Sequence, residues 1–270
     1  MTLRLRAPAS TANIGPGFDC AAAALDLWND LTLEQGGNAD PDHLGVQAFA
    51  RLAPPGGWSF TFSDRIPRER GLGSSASIVA LGLVAAAIIS GLEPSVERLL
   101  AAGVELEGHA DNLAAALAGG VTLTSGGRVA RLADDAPAAP IALVPAARVN
   151  TREARAALPE TVSHRDASYT AARAAYLGAA LATGSPELFA EALDDRLHEP
   201  YRAANAPLLA EVRDDLPPGA LGATISGSGP TVIVWAPPEA AVAVAAELAR
   251  RYPEVEVMRL NVTPTGAGPL

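Results

Sequence analysis

The chain has 270 residues, of which 49% are hydrophobic and 19% charged, and its formal net charge is −10. This acidic balance argues against a nucleic-acid partner, because such binding depends on many arginine and lysine contacts to phosphate. The longest apolar segment, residues 78–89, is too short to cross a bilayer, so no membrane partner is expected. The single cysteine, Cys20, excludes an internal disulfide and a cysteine-based zinc site, and we expect a cytoplasmic location.

The basic residues are of one kind. Apart from histidine, all twenty are arginine, and the chain contains no lysine. This excludes the P-loop, whose lysine reaches the β and γ phosphates, and the protein-kinase fold, which needs a strand lysine. It also excludes a lysine Schiff base. Any phosphate bound here must therefore be held by backbone N–H groups, arginine or a metal ion.

The first part of the chain mixes predicted strands and helices. Alternating apolar residues predict strands at residues 3–6, 31–34 and 58–62, with a helix near 44–52. Between the first two strands, a segment rich in Gly, Pro and small polar residues predicts a loop.

That loop, residues 8–19, contains Asn13 and Asp19. These two side chains either point into a site as an amide and a carboxylate, or cap turns, as Asn and Asp usually do. The loop by itself leaves both interpretations open.

A glycine-serine segment at residues 67–77 leads into a long apolar segment, which is the pattern of a loop before a buried helix. The first N–H groups of such a helix lack intrahelical partners and favour an anion such as phosphate. Gly71 and Gly73 allow a ligand to approach the backbone, and Ser74 and Ser75 supply oxygen atoms for a cap or a metal ion. The other interpretation is a core helix with a glycine-rich entry, and these residues alone give the two equal weight.

A polar cluster lies between two predicted helices, residues 95–108 and 113–118. It consists of Glu105, Glu107 and the segment His109-Ala110-Asp111-Asn112, which together place five polar or ionisable side chains within eight residues. Such a cluster suits a metal or substrate site. Without other motifs, a solvated helix end capped by one of these residues is the commoner outcome.

A Gly126-Gly127 turn predicts a hairpin over residues 121–132, and a short buried strand is predicted at 141–144. We place a domain boundary after this strand, which divides the chain into residues 1–146 and 147–270.

The second domain is expected to be mostly helical, with helices at residues 166–183 and 207–214. Arg173 and Arg202 lie on separate elements, and are either ordinary surface arginines or a clamp for a carboxylate. A second segment rich in glycine and serine, residues 223–231, joins two predicted strands. Its many free N–H groups suit a second anion-binding nest.

Three separated segments, residues 8–19, 70–77 and 225–231, resemble the signature motifs of the GHMP kinases, the family of galactokinase, homoserine kinase, mevalonate kinase and phosphomevalonate kinase. They occur in the family's order and span nearly the whole chain, so together they are far more specific than any one alone. Residues 10–19, STANIGPGFD, are similar to the first motif of the homoserine kinase branch. Similarity to that branch extends to residues 105–108 and 109–112, Leu158-Pro159 with Asp166 and Arg173, and residues 198–202.

The resemblance implies an α+β chain with the two-domain GHMP kinase fold. Its N-terminal domain would be like domain 2 of ribosomal protein S5 and its C-terminal domain would be a ferredoxin-like α/β domain, with ATP and substrate in the cleft between them. The implied activity is ATP-dependent phosphorylation of the side-chain hydroxyl of L-homoserine, a step of threonine biosynthesis, with Mg²⁺ as cofactor. The implied partners are these small molecules, and the sequence leaves a homodimer open.

The resemblance also implies the site residues, motif by motif. The nucleotide would be bound by Arg70, Gly71, Leu72, Gly73, Ser74, Ser75, Ala76, Ser77, Ser226 and Gly227, and Mg²⁺ by Ser75 and Glu107. The L-homoserine site would consist of Asn13, Asp19, Asp111, Asn112, Arg173 and Arg202, of which Asp111, Asn112 and Arg202 are the expected catalytic residues. In this site Asp19 complements the substrate ammonium group, and the two arginines complement its carboxylate. Asp111 and Asn112 would orient the hydroxyl toward the γ-phosphate.

Asn112 stands where sister kinases that use a general base carry an aspartate, and this chain has no lysine to support a base. Phosphoryl transfer depends mainly on positioning and charge neutralisation. We therefore expect transfer without a strong side-chain base, with the hydroxyl proton leaving late to phosphate or water.

The chain departs from the family pattern at one turn. Family members carry several more residues between the Glu-Leu-Glu-Gly and His-x-Asp-Asn segments, whereas here His109 directly follows Gly108. The shorter turn could shift Glu107 relative to Ser75, so that Glu105 shares or takes the metal role. Two alternatives follow: a sister kinase acting on another alcohol, and a catalytically weak relative that only binds its ligand.

Overall fold

The computed structural model describes residues 1–93 and 95–270 and shows two antiparallel sheets, each with helices packed against it. The strands are β1 (Thr2–Ala12), β2 (Ala21–Gln35), β3 (Trp58–Ser63), β4 (Val121–Ser125), β5 (Arg128–Ala133), β6 (Ala139–Val144), β7 (Gly222–Ile225), β8 (Val232–Ala236), β9 (Glu256–Arg259) and β10 (Gly268–Pro269). The helices are α1 (Leu44–Ala50), α2 (Ser74–Ile89), α3 (Val96–Glu107), α4 (Asp111–Ala118), α5 (Thr151–Ala156), α6 (His164–Thr183), α7 (Pro186–Ala192), α8 (Glu199–Arg202), α9 (Pro207–Asp214) and α10 (Ala241–Arg251), with a 3₁₀ turn at Ala203–Asn205. None of the helices in this described part of the chain is long and apolar enough to cross a membrane.

The first sheet has the order β10-β1-β2-β4-β5, with β3 paired to β2. Helix α2 lies at the centre of the layer that covers it, in contact with α1, α3, α4 and β1. Residues 76–87 of α2 are buried on every side, as expected for a helix that is apolar all round. Burial of this helix fixes the position of the glycine-serine loop that precedes it.

The second sheet has the order β7-β8-β6-β9, and its neighbouring strands are antiparallel. Along the chain its elements run strand, helices, two strands, helix and strand, which is the ferredoxin-like β-α-β-β-α-β arrangement. Because β6 belongs to this sheet, the chain changes sheet between β5 and β6, before the boundary that we placed after residue 146. The short β10 then returns the C-terminal end to the first sheet, where it pairs with β1.

The first motif differs from the loop expected over residues 8–19. Its first part continues β1 as far as Ala12, with a register shift after Pro8, and β2 begins at Ala21, well before the strand predicted there. Alanines of both strands form a buried cluster with Ala115 of α4. The close approach of α4 requires small side chains, and this burial outweighs the weak strand preference of alanine.

Helices α1 and α2 cross in close contact at two glycines. A Cβ added at Gly82 would overlap the carbonyl oxygen of Gly45 and would lie 3.0 Å from the Cβ of Ala48. Glycine inside a helix costs about 1 kcal/mol relative to alanine. Close packing between the two helices explains why the apolar helix α2 nevertheless contains one.

We predict that Gly82→Ala lowers the free energy of unfolding by about 1–3 kcal/mol, the usual cost of overpacking. The matched control is Gly178→Ala in α6, where an added Cβ meets no atom of the described residues within 4 Å. There alanine should raise the free energy of unfolding by about 0.5–1 kcal/mol, since it removes only the cost of a helical glycine. Denaturant unfolding of the three proteins measures both changes, and a stabilised Gly82→Ala protein would contradict the packing argument.

Candidate active site

A cleft of about 330 Å³ is lined by both halves of the chain. Its walls are formed by Asn13, Asp19, Pro67, residues 69–76, Leu106, Glu107, His109, Asp111, Asn112, residues 149–151, Arg155, Arg202, Gly227 and Ser228. The structure thus brings most of the expected site residues together, with three exceptions among them: Ser77, Ser226 and Arg173.

The glycine-serine segment at residues 67–77, called the glycine-serine loop from here on, places free N–H groups in this cleft. Gly73 is the N-cap residue of α2, with φ of +66°, and no side chain in the described part of the chain caps the helix there. Ser77 donates its N–H to the Gly73 carbonyl, so the N–H groups of Ser74, Ser75 and Ala76 precede the first helical hydrogen bond. These N–H groups, together with the helix dipole, favour an anion.

Two of the expected nucleotide residues support the loop from behind. Ser77 is fully buried, where its hydroxyl donates to the Ser74 carbonyl at 2.8 Å and accepts from Asn29 at 2.8 Å. The hydroxyl of Ser226 donates to the Gly71 carbonyl at 2.7 Å. Both hydroxyls are engaged within the protein, so they hold the loop in place and do not line the cleft.

Ser75 and Glu107 meet beside the loop, where the serine hydroxyl donates to a carboxylate oxygen at 2.5 Å. Burial raises the pKa of Glu107 above its ordinary value, and the Ser75 hydrogen bond acts in the opposite direction. Glu105 points elsewhere and pairs with Arg51 at the surface, at 3.2 Å. The shortened turn before His109 therefore leaves Glu107, and not Glu105, next to Ser75.

The Ser75–Glu107 pair fits a magnesium ion that is shared with a bound phosphate. Mg²⁺ takes oxygen ligands, commonly one or two carboxylates together with phosphate and water. In the part of the chain that the structure describes, no group of three or more His, Cys, Asp or Glu side chains could hold a metal by itself. Phosphate oxygens and water would have to complete the coordination.

Asp19 forms a bidentate ion pair with Arg155, at 2.6 and 2.7 Å. The hydrogen bond to Asp19 raises the pKa of Arg155. Arg155 lies in α5, a helix that our sequence analysis did not identify. The available sequence signal was Asn150 as an N-cap with Glu153 in the first turn, which predicts a helix but not the direction in which Arg155 points.

Arg202 is a second arginine in the cleft, only 1% exposed, and it donates to the Gly227 carbonyl at 3.1 Å. Burial lowers its pKa, and the positive charge of Arg155 acts in the same direction. Its Nε is buried without a hydrogen-bond partner among the described residues. Both guanidinium groups lie over the ring of Phe18, Arg202 at 5.1 Å and Arg155 at 5.7 Å. Two cations and the Asp19 carboxylate therefore share one wall of the cleft.

Arg173 lies outside the cleft, which corrects the expectation that it binds the substrate. Its guanidinium donates to the Glu191 carboxylate at 2.7 Å and lies near the rings of Tyr169 and Tyr176. Arg173 lies on the same face of α6 as the buried residues Leu177 and Ala180, and this face packs against α7, where Glu191 holds the guanidinium. Periodicity showed that Arg173 is helical but not where its helix face points.

Asp111 and Asn112 begin α4 and are both buried. The side-chain oxygen of Asn112 accepts from the Ser10 hydroxyl at 2.8 Å, which leaves its NH₂ group to donate. One Asp111 oxygen accepts the Asn112 backbone N–H at 2.7 Å and lies 3.1 Å from Nδ1 of His109, whose pKa it raises. Asn112 can therefore donate to a substrate oxygen but cannot accept its proton.

Asn13 bridges two of the motif loops. Its backbone is left-handed, with φ of +61°, a conformation that asparagine tolerates better than most residues. Its NH₂ group donates to the Gly227 carbonyl at 2.9 Å, and its side-chain oxygen accepts the Asp19 N–H at 2.8 Å. This bridge fixes the backbone at Asp19 relative to the loop that follows β7.

Glu199 is buried behind the cleft at the start of α8. Its carboxylate accepts from Arg213 at 2.7 Å and from the N–H of Ile225 at 3.0 Å. Burial raises the pKa of Glu199 to about 7, although Arg213 acts in the opposite direction. This carboxylate joins α8 to α9 and to the strand that leads into the third motif.

Two family models match the chain. The GHMP kinases N terminal domain matches residues 43–120, and the GHMP kinases C terminal model matches residues 178–254. Together they cover more than half of the chain, in the same order as the first sheet and the ferredoxin-like sheet. The chain belongs to the GHMP kinases.

Individual relatives narrow the assignment. A homoserine kinase from Synechococcus sp. is 37% identical in an alignment that covers 90% of this chain and 89% of the relative. Another, from Streptomyces coelicolor, is 38% identical, with 87% of this chain and 84% of the relative covered. The crystal structure of homoserine kinase from Cytophaga hutchinsonii is similar with a TM-score of 0.86 and 25% identity, covering 100% of this chain and 97% of that one. Within the GHMP kinases, the chain belongs with the homoserine kinases.

We predict that Glu199→Gln changes how stability depends on pH. The pKa of Glu199 is about 7 in the folded chain and 4.5 for an ordinary glutamate, so between these values the folded chain holds a proton that the unfolded chain has lost. Wild-type stability relative to Glu199→Gln should therefore fall as pH rises from 4.5 to 7, by on the order of 3 kcal/mol. Denaturant unfolding of both proteins across this range measures the difference, in which other titrating groups cancel. A constant or rising difference would contradict the raised pKa.

Proposed function

We propose that this chain transfers the γ-phosphoryl group of ATP to the side-chain hydroxyl of L-homoserine, in the cytoplasm and as a step of threonine biosynthesis. The observation that carries the proposal is the wall formed by Asp19, Arg155 and Arg202 beside the glycine-serine loop. A carboxylate next to two guanidinium groups complements the ammonium and carboxylate of an α-amino acid. The adjacent N–H groups at the start of α2 complement a phosphate.

In this proposal Asp19 binds the substrate ammonium group, and Arg155 and Arg202 bind its carboxylate. Arg155 replaces Arg173 in the pair that we expected from the sequence. The guanidinium fork of Arg155 already binds a carboxylate in bidentate geometry, that of Asp19, and Arg202 has a buried N–H without a partner among the described residues. On binding, the substrate ammonium group would therefore replace Arg155 as the partner of Asp19. The substrate carboxylate would replace Asp19 as the partner of Arg155.

The triphosphate would lie against residues 70–76 and Gly227, which line the cleft. Ser75 and Glu107 would hold Mg²⁺, which would neutralise the negative charge that develops on the phosphate during transfer. The backbone N–H groups at the start of α2 would stabilise the same charge. This assigns charge neutralisation to backbone, metal and arginine, as required in a chain without lysine.

Asn112 would orient the acceptor hydroxyl by donating a hydrogen bond from its NH₂ group. Its amide oxygen is held by Ser10, and an amide does not take up a proton at neutral pH, so Asn112 is not a general base. Asp111 holds Asn112 and His109 in place through its carboxylate. The hydroxyl proton would leave late, to phosphate or water.

The geometry also bears on the two alternatives. A catalytically weak, ligand-binding relative was suggested by the shortened turn, yet Ser75 and Glu107 remain within hydrogen-bond distance across it. A sister kinase for an alcohol without charged groups would have no use for Asp19 facing two arginines. Neither alternative is supported by an observation of its own.

The test is release of ADP with Mg²⁺-ATP and L-homoserine, beside D-homoserine, L-serine, mevalonate and galactose. We expect turnover with L-homoserine well above the other alcohols, and a loss of about 10²-fold or more in Ser75→Ala, since small misplacements at such a site cost this much. Chelation of Mg²⁺ should abolish turnover. ATP binding without ADP release from any of these alcohols would overturn the proposal, and equal turnover with mevalonate would favour a sister kinase.

The assignment of Arg155 is tested by a matched pair of arginine variants. Arg155→Ala should raise the KM for L-homoserine by about 10- to 100-fold, because a hydrogen bond to a charged group contributes about 1.5–3 kcal/mol. Arg173→Ala should leave it within about twofold, since a surface ion pair contributes little. Steady-state kinetics with saturating ATP measures both. The reverse ranking would restore Arg173 to the substrate site.

A further inference from the structure

Behind the cleft wall, His198 stands immediately before α8. The side chain is completely buried and does not line the cleft, so it does not touch a bound substrate directly. It lies between two parts of the proposed substrate site: the first-motif loop on one side and Arg202 on the other. Both ring nitrogens face a polar group of the protein.

The hydrogen bonds of His198 select one tautomer. Nε2 lies 2.9 Å from the carbonyl oxygen of Gly15, which can only accept, so Nε2 carries the proton. Nδ1 lies 3.4 Å from a terminal nitrogen of Arg202, which can only donate, so Nδ1 must be an unprotonated acceptor. The neutral Nε2–H tautomer satisfies both contacts, and the imidazolium form satisfies only the first.

Burial keeps the ring in this neutral form. Loss of hydration lowers the pKa of His198 to about 4, and the charge of Arg202 acts in the same direction. Asp195 and Asp19 oppose this effect. The nearer of these, Asp195, uses one oxygen to accept the backbone N–H groups of residues 197, 198 and 199, which fixes the backbone that carries the ring.

The ring also contacts the first-motif loop through Phe18. The two rings stack with centroids 5.2 Å apart and planes at 20°. Arg202 lies over the same phenyl ring at 5.1 Å. His198 therefore holds this loop at Gly15 and Phe18. Asp19 directly follows Phe18.

We propose that His198 is a positioning residue that fixes the separation between Asp19 and Arg202, and thereby the two ends of an amino-acid substrate. The inference rests on the proposed function, because it assigns the ammonium group to Asp19 and the carboxylate to Arg202. The rigid ring of His198 contacts both the loop that carries the Asp19 carboxylate and the guanidinium group of Arg202, and so fixes the distance between them. Among the described residues, no hydrogen bond joins this ring to residues 70–76 or to the Ser75–Glu107 pair, so nucleotide binding should change much less than amino-acid binding.

Three variants separate the two contacts. His198→Leu keeps an apolar side chain but removes both nitrogens. His198→Asn retains an acceptor at the position of Nδ1, toward Arg202, and His198→Gln retains a donor at the position of Nε2, toward Gly15. His43→Leu is the control for the same substitution elsewhere, because His43 caps α1, stacks on Phe62 and does not line the cleft.

The expected result is a selective loss of affinity for the amino acid. His198→Leu should raise the KM for L-homoserine by about 30-fold, because it removes the hydrogen bond to the charged Arg202 guanidinium as well as the one to the Gly15 carbonyl. His198→Asn and His198→Gln should each recover part of this loss, with KM raised about 3- to 10-fold. The KM for ATP should change by less than about twofold in all three variants, and His43→Leu should leave both KM values unchanged.

Thermal unfolding of each variant, and titration calorimetry of L-homoserine with wild type, complete the test. Wild type that fails to bind or turn over L-homoserine would reject the proposed function itself. Wild-type KM for L-homoserine in His198→Leu, or parallel rises in both KM values, would reject the positioning role alone. If His198→Leu does not fold, the decision passes to His198→Asn and His198→Gln, where an unchanged KM for L-homoserine in both would overturn the inference.

Discussion

The site depends on the close contact between the glycine-serine loop and the loop that follows β7. Gly71 approaches Ser226 so closely that a Cβ would overlap the Ser226 carbonyl oxygen, and Ser226 returns a hydrogen bond to Gly71. Thr231 donates its N–H to the Arg70 carbonyl. One loop precedes the buried helix of the first sheet and the other belongs to the ferredoxin-like sheet, so this contact sets the distance between the proposed phosphate and amino-acid sites.

Charge in the cleft is arranged around this contact. The chain has no lysine, so in the proposed function phosphate is bound by backbone N–H groups and by a metal that Ser75 and Glu107 would hold. The arginines of the cleft are then available for an organic carboxylate. Arg155 and Asp19 neutralise each other, and the burial of Arg202 is balanced by the Gly227 carbonyl and by Phe18. In the proposed function, an amino acid of matching size replaces the Asp19–Arg155 ion pair. Its ammonium group pairs with Asp19 and its carboxylate pairs with the arginines.

Local patterns predicted the elements well where local forces decide them. The hairpin at Gly126-Gly127 depends on turn chemistry, and it was expected from the sequence. The long strands through the first motif were missed, because their alanines are chosen by the packing of α4 against the sheet. Helix α5 was missed because six residues carry too little periodicity to identify.

The sequence by itself determined the family, the order of the three motifs and the residue types able to bind a phosphate, a metal and an amino acid, because these depend on short segments with fixed backbone requirements. Only the tertiary structure decided which arginine faces Asp19 and that Glu107 reaches Ser75 across a shortened turn. It also decided that His198 lies behind Arg202. Each of these depends on the direction of a side chain on a helix or turn that is fixed by distant packing. Asp19 and Arg155 are 136 residues apart, and no local pattern specifies such a contact.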